Sequence, residues 1–142
     1  MNKIIKILLK HNFETIIKDD KHFLNVIESK NLFESKGINI AFDEDSDMQL
    51  AVFRIKGQLY CFSNICPHRH AEEIFNGIVQ DMQITCPMHG WTYFIESGKN
   101  INPKQGLKCL KKYEIFETDG KVYVEKPALE IPKWRDLEKV EE

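Results

Sequence analysis

Two short runs hold the residues best able to do chemistry. They are Cys66-Pro67-His68 and Cys86-Pro87-Met88-His89, a C-x-H and a C-x-x-H with 17 residues between them. Each offers one thiolate and one imidazole, and each is followed by a loop-like stretch containing glycine. Matched pairs of this kind suit an unequal two-iron cluster, with sulfur ligands on one iron and nitrogen ligands on the other. Two Cys and two His also satisfy a tetrahedral structural zinc. The spacings are not those of common zinc fingers, and colour separates the two cases: an iron–sulfur protein is red-brown, a zinc protein colourless.

The stretches "CPHRHA" and "CPMHGWTYFIESGKNI" resemble the Rieske [2Fe–2S] proteins, in particular the small Rieske-type ferredoxins that feed electrons to bacterial ring-hydroxylating oxygenases. The resemblance runs from about Lys36 to Glu125. It implies one cluster per chain, with Cys66 and Cys86 on the inner iron and His68 and His89 on the outer iron, nearer solvent. His70 stands where the family usually has Gly, and offers a further imidazole, but C-x-H is the family spacing. The run Glu72-Glu73-Ile74-Phe75 is also less typical.

Charge counting gives the chemistry. Two ferric ions, two sulfides, two thiolates and neutral imidazoles sum to zero, and one electron makes a monoanion. Four thiolates would take the cluster from dianion to trianion, a harder addition. High-potential members of the family carry an extra Cys in each ligand loop; the matching positions here are Ala71 and Met88. They also place a Ser hydroxyl near a cluster sulfur where this chain has Trp91. Tyr93 works the other way, because its phenol is placed to reach a ligand sulfur. The expected potential is near the low end of the family range, about −150 mV.

Those ligands need rigid elements beneath them. Leu50 to Ile55 and Gln58 to Phe62 are apolar-rich runs joined by Lys56-Gly57, the pattern of a tight hairpin. Ile78–Val79 and Gln83–Cys86 flank Asp81-Met82. Thr92 to Ile95 leads through Ser97-Gly98-Lys99 to Ile101, and Tyr113 to Glu117 and Val122 to Val124 flank Thr118-Asp119-Gly120-Lys121. Short strands with turns between them argue an all-β sandwich or barrel. The resemblance sharpens this to the Rieske iron–sulfur fold: stacked antiparallel sheets, a small cluster-binding lobe, and short N- and C-terminal extensions. In the family, a segment such as "NPKQGLKCLKK" covers one side of the cluster.

The expected organisation is an N-terminal extension over residues 1–30, the Rieske domain over 31–126 and a C-terminal tail over 127–142. Residues 1–30 suggest short helix or mixed structure. "MNKIIKILLK" reads as an amphipathic helix or a strand, docked on its own domain or a neighbouring subunit, with binding to a membrane surface the lesser alternative. Asp43, Glu44, Asp45 and Asp47 read as a solvated turn. The tail reads as a loosely docked arm or a short helix around Trp134 to Glu142. Trp91, Tyr93 and Phe94 are expected to shield the cluster.

At 142 residues the chain makes one domain with a core. A net charge of −2 gives no whole-protein reason to expect nucleic acid or anionic membrane as partner. No run of about 20 apolar residues spans a membrane, and Lys6 and Lys10 interrupt any signal-peptide core. Cys61 and Cys109 are expected as small buried apolar residues rather than a disulfide, which fits a reducing, cytoplasmic setting. Five Lys (99, 104, 108, 111, 112) occur between Lys99 and Lys112 with no acid, either a solvated face or a steering patch.

The function expected from the resemblance is one-electron transfer between a reductase and an oxygenase, without catalysis by the chain itself. A small Rieske subunit of a nitrite-reductase-like enzyme and a redox sensor are the alternatives. A catalytic oxygenase component is not expected, because the 17 residues after Glu125 contain no His for a mononuclear iron site.

Overall fold

The computed structural model describes residues 3–7, 15–42, 45–67, 72–88 and 90–127. They form twelve strands: β1 (Lys3–Ile7), β2 (Thr15–Lys18), β3 (Lys21–Glu28), β4 (Ile38–Phe42), β5 (Asp45–Ile55), β6 (Gln58–Ser63), β7 (Ile78–Gln80), β8 (Gln83–Thr85), β9 (Thr92–Phe94), β10 (Lys112–Tyr113), β11 (Ile115–Thr118) and β12 (Lys121–Glu125). Three sheets result, with orders β1-β4-β5-β6-β10, β11-β12-β3-β2 and β7-β8-β9. The all-β expectation holds. Among the described residues, every strand-to-strand pairing is antiparallel except β1 with β4.

Four two-residue turns set the registers. Asp19-Asp20, Lys56-Gly57, Asp81-Met82 and Asp119-Gly120 each put two consecutive residues at positive φ. That is the hairpin turn whose twist matches its flanking strands. The last three were legible as hairpins in the sequence; Asp19-Asp20 was not.

The five-stranded sheet is buried on both faces, because alternate residues of β5 and β6 belong to different cores. Leu50, Val52 and Cys61 pack with Leu24, Ile38, Ile40, Val122 and Val124, the layer between the two larger sheets. Ala51, Phe53, Ile55, Tyr60 and Phe62 face the other way, onto Ile74, Ile84, Tyr93, Ile95 and Leu110 of the small lobe. A strand covered on both sides reads as a near-continuous apolar run, as "LAVF" does here.

Residues 15–28 depart from the expected helix or mixed structure. They form β2 and β3, and β3 lies between β2 and β12 with Phe23 and Leu24 buried. In β3, burial of consecutive residues (Phe23-Leu24 and Val26-Ile27) hides the period-two pattern that would mark a strand. The expected boundary at residue 31 follows β3, which shares its sheet with β12 near the chain's other end. β1 is a strand docked on its own domain, registered from Lys3↔Ile38 to Ile7↔Phe42. Asp45 and Asp47 lie within β5 rather than in a turn; Asp43, Glu44 and the expected Trp134–Glu142 helix lie outside the described residues. Among the described residues, no helix is long and apolar enough to cross a membrane.

Candidate metal centre

The first motif leaves the end of β6. Asn64, fully buried, closes the base of its loop. Asn64 Nδ2 donates to Gln49 Oε1 (2.9 Å) and to Glu72 O (3.1 Å), and Asn64 Oδ1 accepts from Phe75 N–H (2.8 Å). Ile74 N–H donates to Asn64 O (3.2 Å), and Gln49 Nε2 donates to the Glu72 carboxylate. One amide therefore ties the outgoing and returning ends of the loop to β5. Buried polar groups satisfied this fully hold a single arrangement. Ile74 and Phe75, from the less typical run, are buried anchors at the returning end.

The second motif caps the β8–β9 hairpin. Cys86 N–H donates to Trp91 O (2.8 Å), and Gly90 N–H donates back to Cys86 O (2.9 Å). Gly90 sits at φ 73, a conformation costly for a residue with a Cβ. Below it the Thr85 and Thr92 hydroxyls share a 2.8 Å hydrogen bond. A third loop, residues 98–110, is closed by Leu110 N–H donating to Gly98 O (2.7 Å).

Cys66 and Cys86 come from separate loops into one apolar core, and both are buried. Tyr93 of β9 lies between the motifs, its Oη 3.6 Å from Cys66 Sγ. Its phenol is held protonated, first by burial, then by the Cys66 bond and the nearby Cys66 and Cys86 charges. A protonated phenol can donate to a sulfur that carries charge. Two soft sulfur donors and a hydroxyl donor, shielded by Ile74, Ile84 and Leu110, fit the thiolate end of an iron–sulfur cluster.

His68, His89, His70 and Ala71 lie outside the described residues. Of the expected ligands, the structure therefore brings together the two cysteines. It also corrects two expectations. Cys109 is exposed, whereas Cys61 is buried in the other core with its thiol pKa pushed up by burial. Neither forms a disulfide. Trp91 packs against the lobe core and Tyr93 is buried, but Phe94 points to solvent. Strand alternation sends neighbours to opposite faces. Sequence reasoning missed Asn64 and Gln49, and singled out Glu72 only as part of an atypical run. Their one visible signal was an Asn two residues before Cys66.

A model of the Rieske [2Fe–2S] domain matches residues 22–114. The ferredoxin component of an alkene monooxygenase system from Xanthobacter autotrophicus is 23% identical over 107 residues, covering 75% of this chain and 84% of that protein. A cholesterol 7-desaturase of Ciona intestinalis is 35% identical over 83 residues, 54% of this chain, but the chain spans only 18% of that protein's length. The fold is shared with a solved structure described as a putative NADH-dependent nitrite reductase small subunit from Mycobacterium tuberculosis. The TM-score there is 0.66 at 20% identity, over 78% of this chain and 100% of that one.

Proposed function

The chain belongs to the Rieske [2Fe–2S] domain family, and from that premise we propose that it is a one-electron carrier, with Cys66 and Cys86 as ligands of one iron and His68 and His89 as ligands of the other. The family's cluster, one per chain, supplies a centre that takes up and releases single electrons. The chain's own residues hold and insulate it. Asn64 sets the path of the Cys66 loop, the Cys86–Trp91 pairing sets the second loop, and Tyr93 offers a hydroxyl to Cys66. Phe62, Ile74, Ile84 and Leu110 keep water from the sulfur side.

The observation that carries this reading is the convergence of two buried thiols, from two separately closed loops, on one phenol. A role between a reductase and an oxygenase is supported by the likeness to the alkene monooxygenase ferredoxin component along 84% of its length. The chain itself then makes and breaks no bonds of substrate. An unpaired buried Cys61 and an exposed unpaired Cys109 support a reducing compartment such as the cytoplasm.

The test is iron and sulfide analysis with EPR of the dithionite-reduced protein. Two irons and two sulfides per chain, with the lowered average g of mixed His and Cys ligation, are expected. A colourless protein holding one zinc would sink the reading. The second reading, a small subunit of a nitrite-reductase-type enzyme, is favoured by the shared fold over 78% of the chain. Co-purification with a large flavin- or haem-containing subunit would select it.

A further inference from the structure

We propose that the solvent face of the small sheet, together with the lysine-bearing segment of residues 98–112, forms a docking surface for an acidic redox-partner protein; this rests on the electron-carrier reading above.

The face follows from strand alternation. Ile84 and Tyr93 point into the lobe core, so their neighbours point out. Ile78, Thr85 and Thr92 stand opposite one another across the three strands, and Gln80, Gln83 and Phe94 form the next row. Ile78 is 61% exposed and Phe94 43%. None of the nine residues of β7, β8 and β9 is charged. The face continues into the second ligand loop, where Met88 is 58% exposed. It is thus an uncharged surface, cheap to dehydrate, directly beside Cys86. Interface centres are depleted of charge in the same way.

The rim is basic. Phe94 N–H donates to Lys99 O, and Ile101 N–H to Thr92 O, so the lysine segment starts along the edge of β9. It then folds around a cavity of about 330 Å³ lined by Lys99, Asn100, Pro103, Gly106, Leu107 and Cys109. Leu107 stands 88% exposed at its edge. This segment holds five of the chain's 20 basic residues and none of its 22 acidic ones. All five lysines are exposed, and no salt bridge among the described residues uses one. The neighbouring Glu96 carboxylate accepts from Tyr60 Oη. Lys111 and Lys112 lie over the Tyr113 and Tyr60 rings, which steady them, while Lys99, Lys104 and Lys108 are exposed.

A basic rim along one side of an uncharged centre complements an apolar patch with carboxylates along one side. The rim charges act on encounter rate and orientation, the centre on lifetime. A protein is favoured over a polyanion or lipid surface because the whole chain is net negative and this segment presents lysines without arginine.

The test uses holoprotein and stopped-flow kinetics. The hydroquinone of an acidic flavodoxin gives one electron to the oxidised protein and becomes the semiquinone. Cytochrome c, a basic protein, takes one electron from the reduced protein. The flavodoxin rate should fall about 10-fold from low to high ionic strength. It should fall about 10-fold more at low ionic strength in the triple variant Lys99→Glu, Lys104→Glu, Lys108→Glu. The cytochrome c rate should not fall in that variant. Ile78→Asp should slow the flavodoxin reaction even at high salt. A flavodoxin rate indifferent to salt and to the triple variant, with electron transfer intact, overturns the docking surface and leaves the carrier reading standing. Lysine-dependent sedimentation with phosphatidylserine vesicles, or lysine-dependent dimerisation, overturns it in favour of a membrane or a second copy. No electron exchange with either protein at any salt sinks the carrier reading itself.

Discussion

Tyr93 Oη lies 3.6 Å from Cys66 Sγ, so a side chain from the strand after the second motif meets the thiol of the first. The contact joins residues 27 apart in sequence, and with Cys66 as the proposed cluster ligand it would set a hydrogen-bond donor where negative charge grows on reduction.

Tyr93→Phe should therefore lower the midpoint potential, because the reduced state loses more from the missing donor than the oxidised state does. If the differential is about 1.4 kcal/mol, the fall is about 60 mV for a one-electron couple. Spectroelectrochemical titration of both proteins checks this. An unchanged potential with an intact fold would show that the hydroxyl does not bond the ligand sulfur in the holoprotein.

Asn64→Ala should cost about 2–4 kcal/mol of stability, since it strands the buried Phe75 N–H and releases Gln49 and Glu72 O from their shared donor. Urea unfolding measures the loss. Cys66 in the cluster-free protein should also react faster with a thiol reagent than in the parent, because the loop base opens before the domain does. Asn64→Asp keeps the acceptor for Phe75 but turns a carboxylate towards Glu72 O, and should be no better.

Arg54 of β5 clips the two larger sheets together through a forked pair with Glu117 of β11, at 2.9 and 3.0 Å. The Glu117 pKa is lowered to about 2, first by the Arg54 hydrogen bonds, then by Ser29. A depressed carboxylate contributes stability that is present above its unfolded pKa near 4.5 and lost as pH falls towards 2. Because the Glu117 side chain is 35% exposed, screening limits the effect to about 1 kcal/mol. Acid unfolding of the parent and of Glu117→Gln should converge by about that amount over this window. Parallel curves would place the pair's contribution near zero.

Gly98→Ala should be the costliest of the turn-glycine substitutions. A Cβ there meets Leu110 O at 2.3 Å, and φ is +76. Backbone must move, so a loss of about 2–4 kcal/mol is expected. Gly57 has a similar φ of +78 but open space around it, so Gly57→Asn should cost less than about 1 kcal/mol. Thermal melts of the two variants separate steric closure of the 98–110 loop from conformational preference alone.

The family of this protein was legible in the chain because its signature is local: donor type and spacing within a loop are properties of a few consecutive residues. Hairpins such as Lys56-Gly57 and Asp119-Gly120 were legible for the same reason, since a two-residue turn is chosen by its own φ preferences. Tertiary structure alone decided what depends on contacts across the chain. It made Asn64 the buried strap of the Cys66 loop and seated β3 against β12. It sent Tyr93 inward while Phe94 faces solvent, and it exposed Cys109 while burying Cys61. Burial is set by what lies opposite a residue in space, and no spacing rule within the chain carries that information.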